Sequence, residues 1–108
     1  MSFITVYITH ESEDAAKTMA DQLVENKIIA CANLFPITSA YWWEAAICNE
    51  SEWVSLVKTQ HKHWDALKAW VEEKHPYEVP CIMKIEVEAN DSYESWIKEM
   101  TESANFSE

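Results

Sequence analysis

The side chains of this chain best suited to hold a soft or borderline metal ion are its three cysteines and four histidines. Neither a Cys-x-x-Cys pair nor a His-x-x-x-His helix face joins them, so no ready-made metal motif is present. His61 and His63 stand two residues apart. On a helix that spacing separates the rings by roughly 200°, so both are expected to face solvent. Cys31 sits in the apolar run "IIACANLF" and has two readings, a small buried hydrophobe in a strand or a soft metal ligand. His75 opens "HPYEVP" at the end of a helical stretch, where the negative end of the helix dipole favours an imidazolium and Pro76 fixes the turn. It also has two readings: a helix stop with Tyr77 as an apolar plug, or a binding residue.

Catalytic constellations are not evident. Glycine is absent, so no phosphate-cradling loop of the Walker or Rossmann kind exists. No Ser/His/Asp spacing is informative, and Glu72–Glu73 and Glu50 with Glu52 read as solvated charge. The chain does not look like an enzyme. Its 19 acidic residues against 8 lysines, with no arginine, give a formal net charge of −11. Such a surface repels phosphate backbones and lacks the guanidinium fork that reads bases, which argues against nucleic acid as a partner. It does raise the local concentration of cations.

These residues are positioned by alternating elements within what reads as one domain over residues 1–108. "FITVYIT" (3–9) has the period of two of a strand, and residues 13–27 carry Ala16, Met19, Ala20, Leu23 and Val24 at helical spacing behind a Ser12 cap. A strand follows at 28–35, Pro36 interrupts it, and extended chain resumes over 39–48. After "NES" (49–51) a further strand runs to Thr59, and the two form a long hairpin. A second helix spans 61–74, a fourth strand "CIMKIEVEA" follows Pro80, and a short helix around Tyr93–Met100 leads into a tail expected to fray. The order predicts an α+β, ferredoxin-like β-α-β-β-α-β sandwich with a long hairpin between the second and third strands and a C-terminal helix.

Two helices can cover only one face of that sheet. The first strand carries Phe3 and Tyr7 opposite its aliphatic row, and the hairpin carries Tyr41 and Trp43 on one side with Trp42 on the other. A second apolar face of this kind calls for another chain, so a homo-oligomer is expected. No stretch is long and apolar enough to span a membrane, the N-terminus has no export-signal pattern, and an odd number of cysteines suits reduced thiols. The expected location is the cytoplasm.

The run "IIACANLFPITSAYWWEAAICNESEWVSLVKT", followed by "HPYEVP" and "SYESWI", resembles the CutA family of divalent-cation tolerance proteins over nearly the whole chain. Ala30, Cys31, Ala32 and Asn33 match its second-strand signature, and Tyr41, Trp43, Glu44 and Ile47 its hairpin motif. Glu52, Lys58 and Thr59 match the returning strand, His75, Pro76, Tyr77, Glu78 and Pro80 the loop, and Tyr93 and Trp96 the C-terminal pattern. The resemblance implies a homotrimer linked to copper or another divalent cation in the response to metal ions, with no organic cofactor. It further implies His75 and Cys31 as metal ligands, and Tyr41, Trp43, Glu44, Glu52, Lys58, Tyr77 and Glu78 as residues of a subunit interface or cleft. The trimeric PII signalling proteins share the architecture, so the alternative is a regulatory module that binds a small effector between subunits. Two departures stand out. Ala45 replaces a glycine that relatives carry after the Trp-Glu pair, and Ile8, Thr9 and His10 stand where copper-linked relatives can place a cysteine.

Overall fold

The computed structural model describes residues 3–106. Its elements are β1 (Phe3–His10), α1 (Glu13–Glu25), β2 (Cys31–Trp43), β3 (Ala46–Thr59), a 3-10 turn (His61–His63), α2 (Trp64–Lys74), β4 (Ile82–Val87) and α3 (Asp91–Met100). The strands form one sheet in the order β2-β3-β1-β4, with every neighbouring pair antiparallel. This is the expected ferredoxin-like α+β fold.

The sheet's two faces follow from the period of two. Ile4, Val6 and Ile8 of β1 and Val57 of β3 point to one side, where Met19 and Leu23 of α1 and Leu67, Trp70 and Val71 of α2 close over them as the main core. Ser12 caps α1 by accepting a hydrogen bond from the Ala15 amide at 3.0 Å. The helix ends two residues earlier than expected, because Lys27 takes a left-handed conformation (φ 59°) and the Lys27 and Ile28 amides donate back to the Val24 and Leu23 carbonyls. Ile28 and Ile29 therefore belong to a buried connection, and β2 begins at Cys31.

The hairpin differs from expectation in its turn. The chain reverses at Glu44–Ala45, where φ is 51° and 65°, and Asn49–Ser51 lie within β3 opposite Ala40, Ser39 and Thr38. Positive φ at both central residues is the signature of a two-residue turn whose twist matches that of the flanking strands, so pairing runs unbroken from Trp43↔Ala46 to Cys31↔Lys58. Pro36 does not interrupt β2. An edge strand turns every second amide away from its only neighbour, and a proline there removes no ladder bond.

Ala45 thus keeps the left-handed backbone that a glycine would adopt freely, at a cost of roughly 1 kcal/mol or more. Ala45→Gly is expected to raise unfolding stability by about 1 kcal/mol, read as a higher denaturant midpoint at unchanged slope. Ala46→Gly, one residue on in the strand, should instead lower it. Equal losses in both variants would contradict the turn geometry.

Two further expectations change. His63 is buried, with Nε2 3.1 Å from the Thr101 carbonyl oxygen and its ring packed on Phe106, so it is not a solvent-facing histidine. The segment after α3 does not fray over 101–106: the Asn105 amide donates to the Asn26 carbonyl at 2.8 Å and Phe106 packs against the main core. Residues 107–108 lie outside the described residues. Phe3 is also not left for another chain, because Ile97 and Tyr93 of α3 cover it, the Tyr93 ring meeting it edge-on at 5.9 Å.

Candidate functional site

Pro76 cannot continue α2, so His75 turns out of the helix into extended backbone while its amide still bonds the Val71 carbonyl. That break aims its ring at the end of β1. Nε2 lies 2.7 Å from the Thr9 carbonyl oxygen, and Nδ1 accepts the Tyr77 amide at 3.2 Å. A carbonyl only accepts and an amide only donates, so these partners select the neutral ring with its proton on Nε2. His10 stacks on the same ring at 5.6 Å, and Tyr77 meets it edge-on at 4.6 Å.

His10 is itself buried, with Nε2 2.8 Å from Ser55 Oγ. Burial, with the neighbouring His75 as the second cause, pushes its pKa down to about 4 against a smaller opposing pull from Glu52. Tyr77 carries the loop across to the sheet's other face, where its hydroxyl donates to Glu52 Oε2 at 2.8 Å. Burial and then that hydrogen bond hold the phenol above its usual range. Cys81 closes the segment, its thiol raised by burial and by the Glu52 carboxylate. One cluster therefore joins the ends of α2 and β1 to the middle of β3.

Cys31 lies elsewhere. It pairs with Lys58 at the level of Thr5, four residues of β1 from the Thr9 level at which His75 binds, roughly 13 Å along the strand. Its thiol sits 3.3 Å from the Tyr93 hydroxyl, whose pKa is pushed up to about 12, first by that hydrogen bond and then by burial. Lys58, buried beside it, hydrogen-bonds Asn33 Oδ1. The expected ligands Cys31 and His75 are thus not brought together within one chain, and His75 has both ring nitrogens already engaged. Among the described residues no group of three or more His, Cys, Asp or Glu side chains is placed to hold a metal ion.

The expected interface residues fall at three levels of the hairpin. Tyr41, Trp43 and Glu44 lie at the exposed tip, where the Tyr41 hydroxyl donates to Glu50 Oε1 at 2.8 Å and is thereby pushed up to about 12. Glu52 and Tyr77 meet at mid-length with the exposed Glu78 in the same loop, and Lys58 lies at the base. On the face away from α1 and α2, Phe35, Tyr41, Trp43, Met83 and Ile85 remain 37–47% exposed. The residues that reading by sequence missed are His10 and Ser55. Their signal was parity: His10 continues the inward row of Ile4, Val6 and Ile8, so a polar ring had to enter the buried side.

The family model for the CutA1 divalent ion tolerance protein matches residues 4–100. The divalent-cation tolerance protein CutA of Thermus thermophilus is 40% identical over 98 residues, covering 89% of this chain and 95% of that one. Crystalline CutA1 from Pyrococcus horikoshii superposes with a TM-score of 0.87 at 37% identity over 91% of this chain and 97% of that chain. The periplasmic divalent cation tolerance protein CutA from Archaeoglobus fulgidus does so with a TM-score of 0.87 at 35% identity, covering 94% and 99%. With the family's match spanning almost every element that builds the cluster, the chain belongs to the CutA family of divalent-cation tolerance proteins.

Proposed function

We propose that this CutA-family protein acts as a homotrimer that binds copper or a similar divalent ion in the response to metal ions, as a binding protein rather than a catalyst. The observation that carries the reading is the aromatic and aliphatic face that α1 and α2 leave open, from Phe35 and Trp43 to Met83 and Ile85. An apolar surface of that extent calls for burial against another chain. The sheet ends in two different edge strands, β2 and β4, so head-to-tail contact between copies can close a ring, and three copies bring the hairpins together around an axis.

Ion binding on this reading belongs to the boundaries between copies. The thiol of Cys31 and the imidazole of His75 are donors of the right softness, but they stand at different levels of one sheet and need further ligands from a neighbouring chain. The negative surface adds a general attraction for cations. Three free thiols suit a reducing compartment, and we place the protein in the cytoplasm.

Calorimetric titration of the tag-free protein tests this. Copper is expected to bind more tightly than magnesium, which prefers oxygen, and to bind less well in acid, because a ligating imidazole has to be neutral. His75→Ala should lower copper affinity, and Cys31→Ser should affect Cu(I) more than Cu(II). Copper affinity that ignores pH and both substitutions would reduce the effect to non-specific attraction by the acidic surface.

A further inference from the structure

Thr5, Lys58 and Cys31 stand side by side on three neighbouring strands, each the cross-strand partner of the next. Val57 points to the main core, so this row lies on the opposite face of the sheet, the one that α1 and α2 leave open. Lys58 is only 8% exposed there, as is Thr5. A lysine so placed needs acceptors for its N–H groups and an opposite charge, because a buried ammonium without them is costly. The acceptor it has is the side-chain oxygen of Asn33. Among the described residues no carboxylate pairs with it, and the Thr5 hydroxyl beside it has no hydrogen-bond partner.

The chain's own buried acids are committed elsewhere. Among the described residues these are Glu52 and Glu94. Glu52 receives the Tyr77 hydroxyl six residues away along β3, roughly 20 Å from Lys58. Glu94, on α3, accepts the Ala89 amide at 2.8 Å. The row therefore offers an ammonium, a hydroxyl and the side-chain N–H groups of Asn33, with no anion of its own. Donors of that kind suit a carboxylate.

We propose that Lys58, Thr5 and Asn33 form a seat for a carboxylate supplied by a neighbouring copy of the chain. This rests on the reading of the open face as the surface on which copies assemble. Charge complementarity favours that source: each copy carries a net charge of −11, so a cation held just beneath the open face meets an acidic partner. Exposed acids stand on the elements that border the face, Glu44 and Glu50 on the hairpin and Glu78 in the loop after α2. The pair also offsets part of the repulsion between such copies.

Light scattering over a dilution series tests the seat on the whole protein. Lys58→Met removes the charge and keeps a long side chain. The concentration at which the assembly half-dissociates is expected to rise at least about tenfold, because the neighbour's carboxylate is left buried without a partner. In the Trp43→Ala background, where the chain is expected to be monomeric, the same change should leave the denaturant midpoint unchanged or raise it, since it removes a charge that one chain alone does not neutralise. Of Glu44→Gln, Glu50→Gln and Glu78→Gln, one should weaken the parent assembly about tenfold and have no effect in the Lys58→Met protein. An assembled parent whose dissociation ignores Lys58→Met overturns the seat and leaves the assembly reading standing, and so does a weakening that couples to none of the three glutamates. A midpoint lowered by Lys58→Met in the monomeric background also overturns the seat, because the charge is then satisfied within one chain. A parent that is monomeric at micromolar concentration overturns both.

Discussion

Trp43→Ala is expected to dissociate the proposed trimer while leaving the fold of each chain intact. The ring lies at the tip of the hairpin, 40% exposed, on the face shared with Tyr41 and away from the main core. Its own chain gives it little to lose. In the proposed trimer the ring is buried between copies, where an aromatic anchor of this kind contributes on the order of 2–4 kcal/mol per chain, a contribution lost at each of its boundaries in the variant. Light scattering over a micromolar dilution series should show the variant falling to monomer mass at concentrations where the parent stays assembled, with the far-ultraviolet dichroism of the two matching. An assembly as tight as the parent's would move Trp43 off the interface.

Trp70→Ala is expected to do the reverse. Trp70 is 6% exposed and packs in the main core beneath α2, so truncation removes a whole indole from a filled space at a cost of about 3–5 kcal/mol of fold stability. Among the described residues its buried Nε1 has no hydrogen-bond partner, which makes the polar part of the ring a liability. Trp70→Phe should therefore cost far less than the alanine change, about 1.5 kcal/mol or under, since the lost volume is offset by removing an unsatisfied donor. Denaturant unfolding distinguishes the three proteins. A phenylalanine variant as unstable as the alanine one would mean that the indole nitrogen has a partner in solution.

The arrangement of elements was legible because its periods are clean. Ile4, Val6 and Ile8 alternate, Met19 and Leu23 recur at helical spacing, and a split β-α-β order has few ways to pack. The turn was not legible, because polarity at Asn49–Ser51 looked like a loop signal, whereas a two-residue reversal needs only two positions with positive φ. Without glycine in the chain, those positions fell on Glu44 and Ala45, and the one sign of a left-handed backbone there was that Ala45 replaces a glycine that relatives carry after the Trp-Glu pair. The tail was read as fraying for a related reason: Phe106 is one apolar residue among polar ones, and only the fold shows the space between His63 and the core that it fills.

The cluster around His75 was half legible. The "HPYEVP" stretch marked the loop, and Pro76 explains why the ring leaves the helix. What spacing could not reveal is that the ring's partners are backbone groups, since the Thr9 carbonyl and the Tyr77 amide belong to any residue type. Nor could it show that Cys31 pairs at the other end of the sheet, a consequence of hairpin register.

Native mass spectrometry of the tag-free protein, before and after addition of copper, reads assembly and ion stoichiometry together. The expected result is a species of three times the 12.6 kDa chain mass that takes up copper in a fixed ratio to its chains, a ratio lost when His75 and Cys31 are both replaced. A monomer at micromolar concentration, or copper adducts of no fixed number that survive both substitutions, would contradict it.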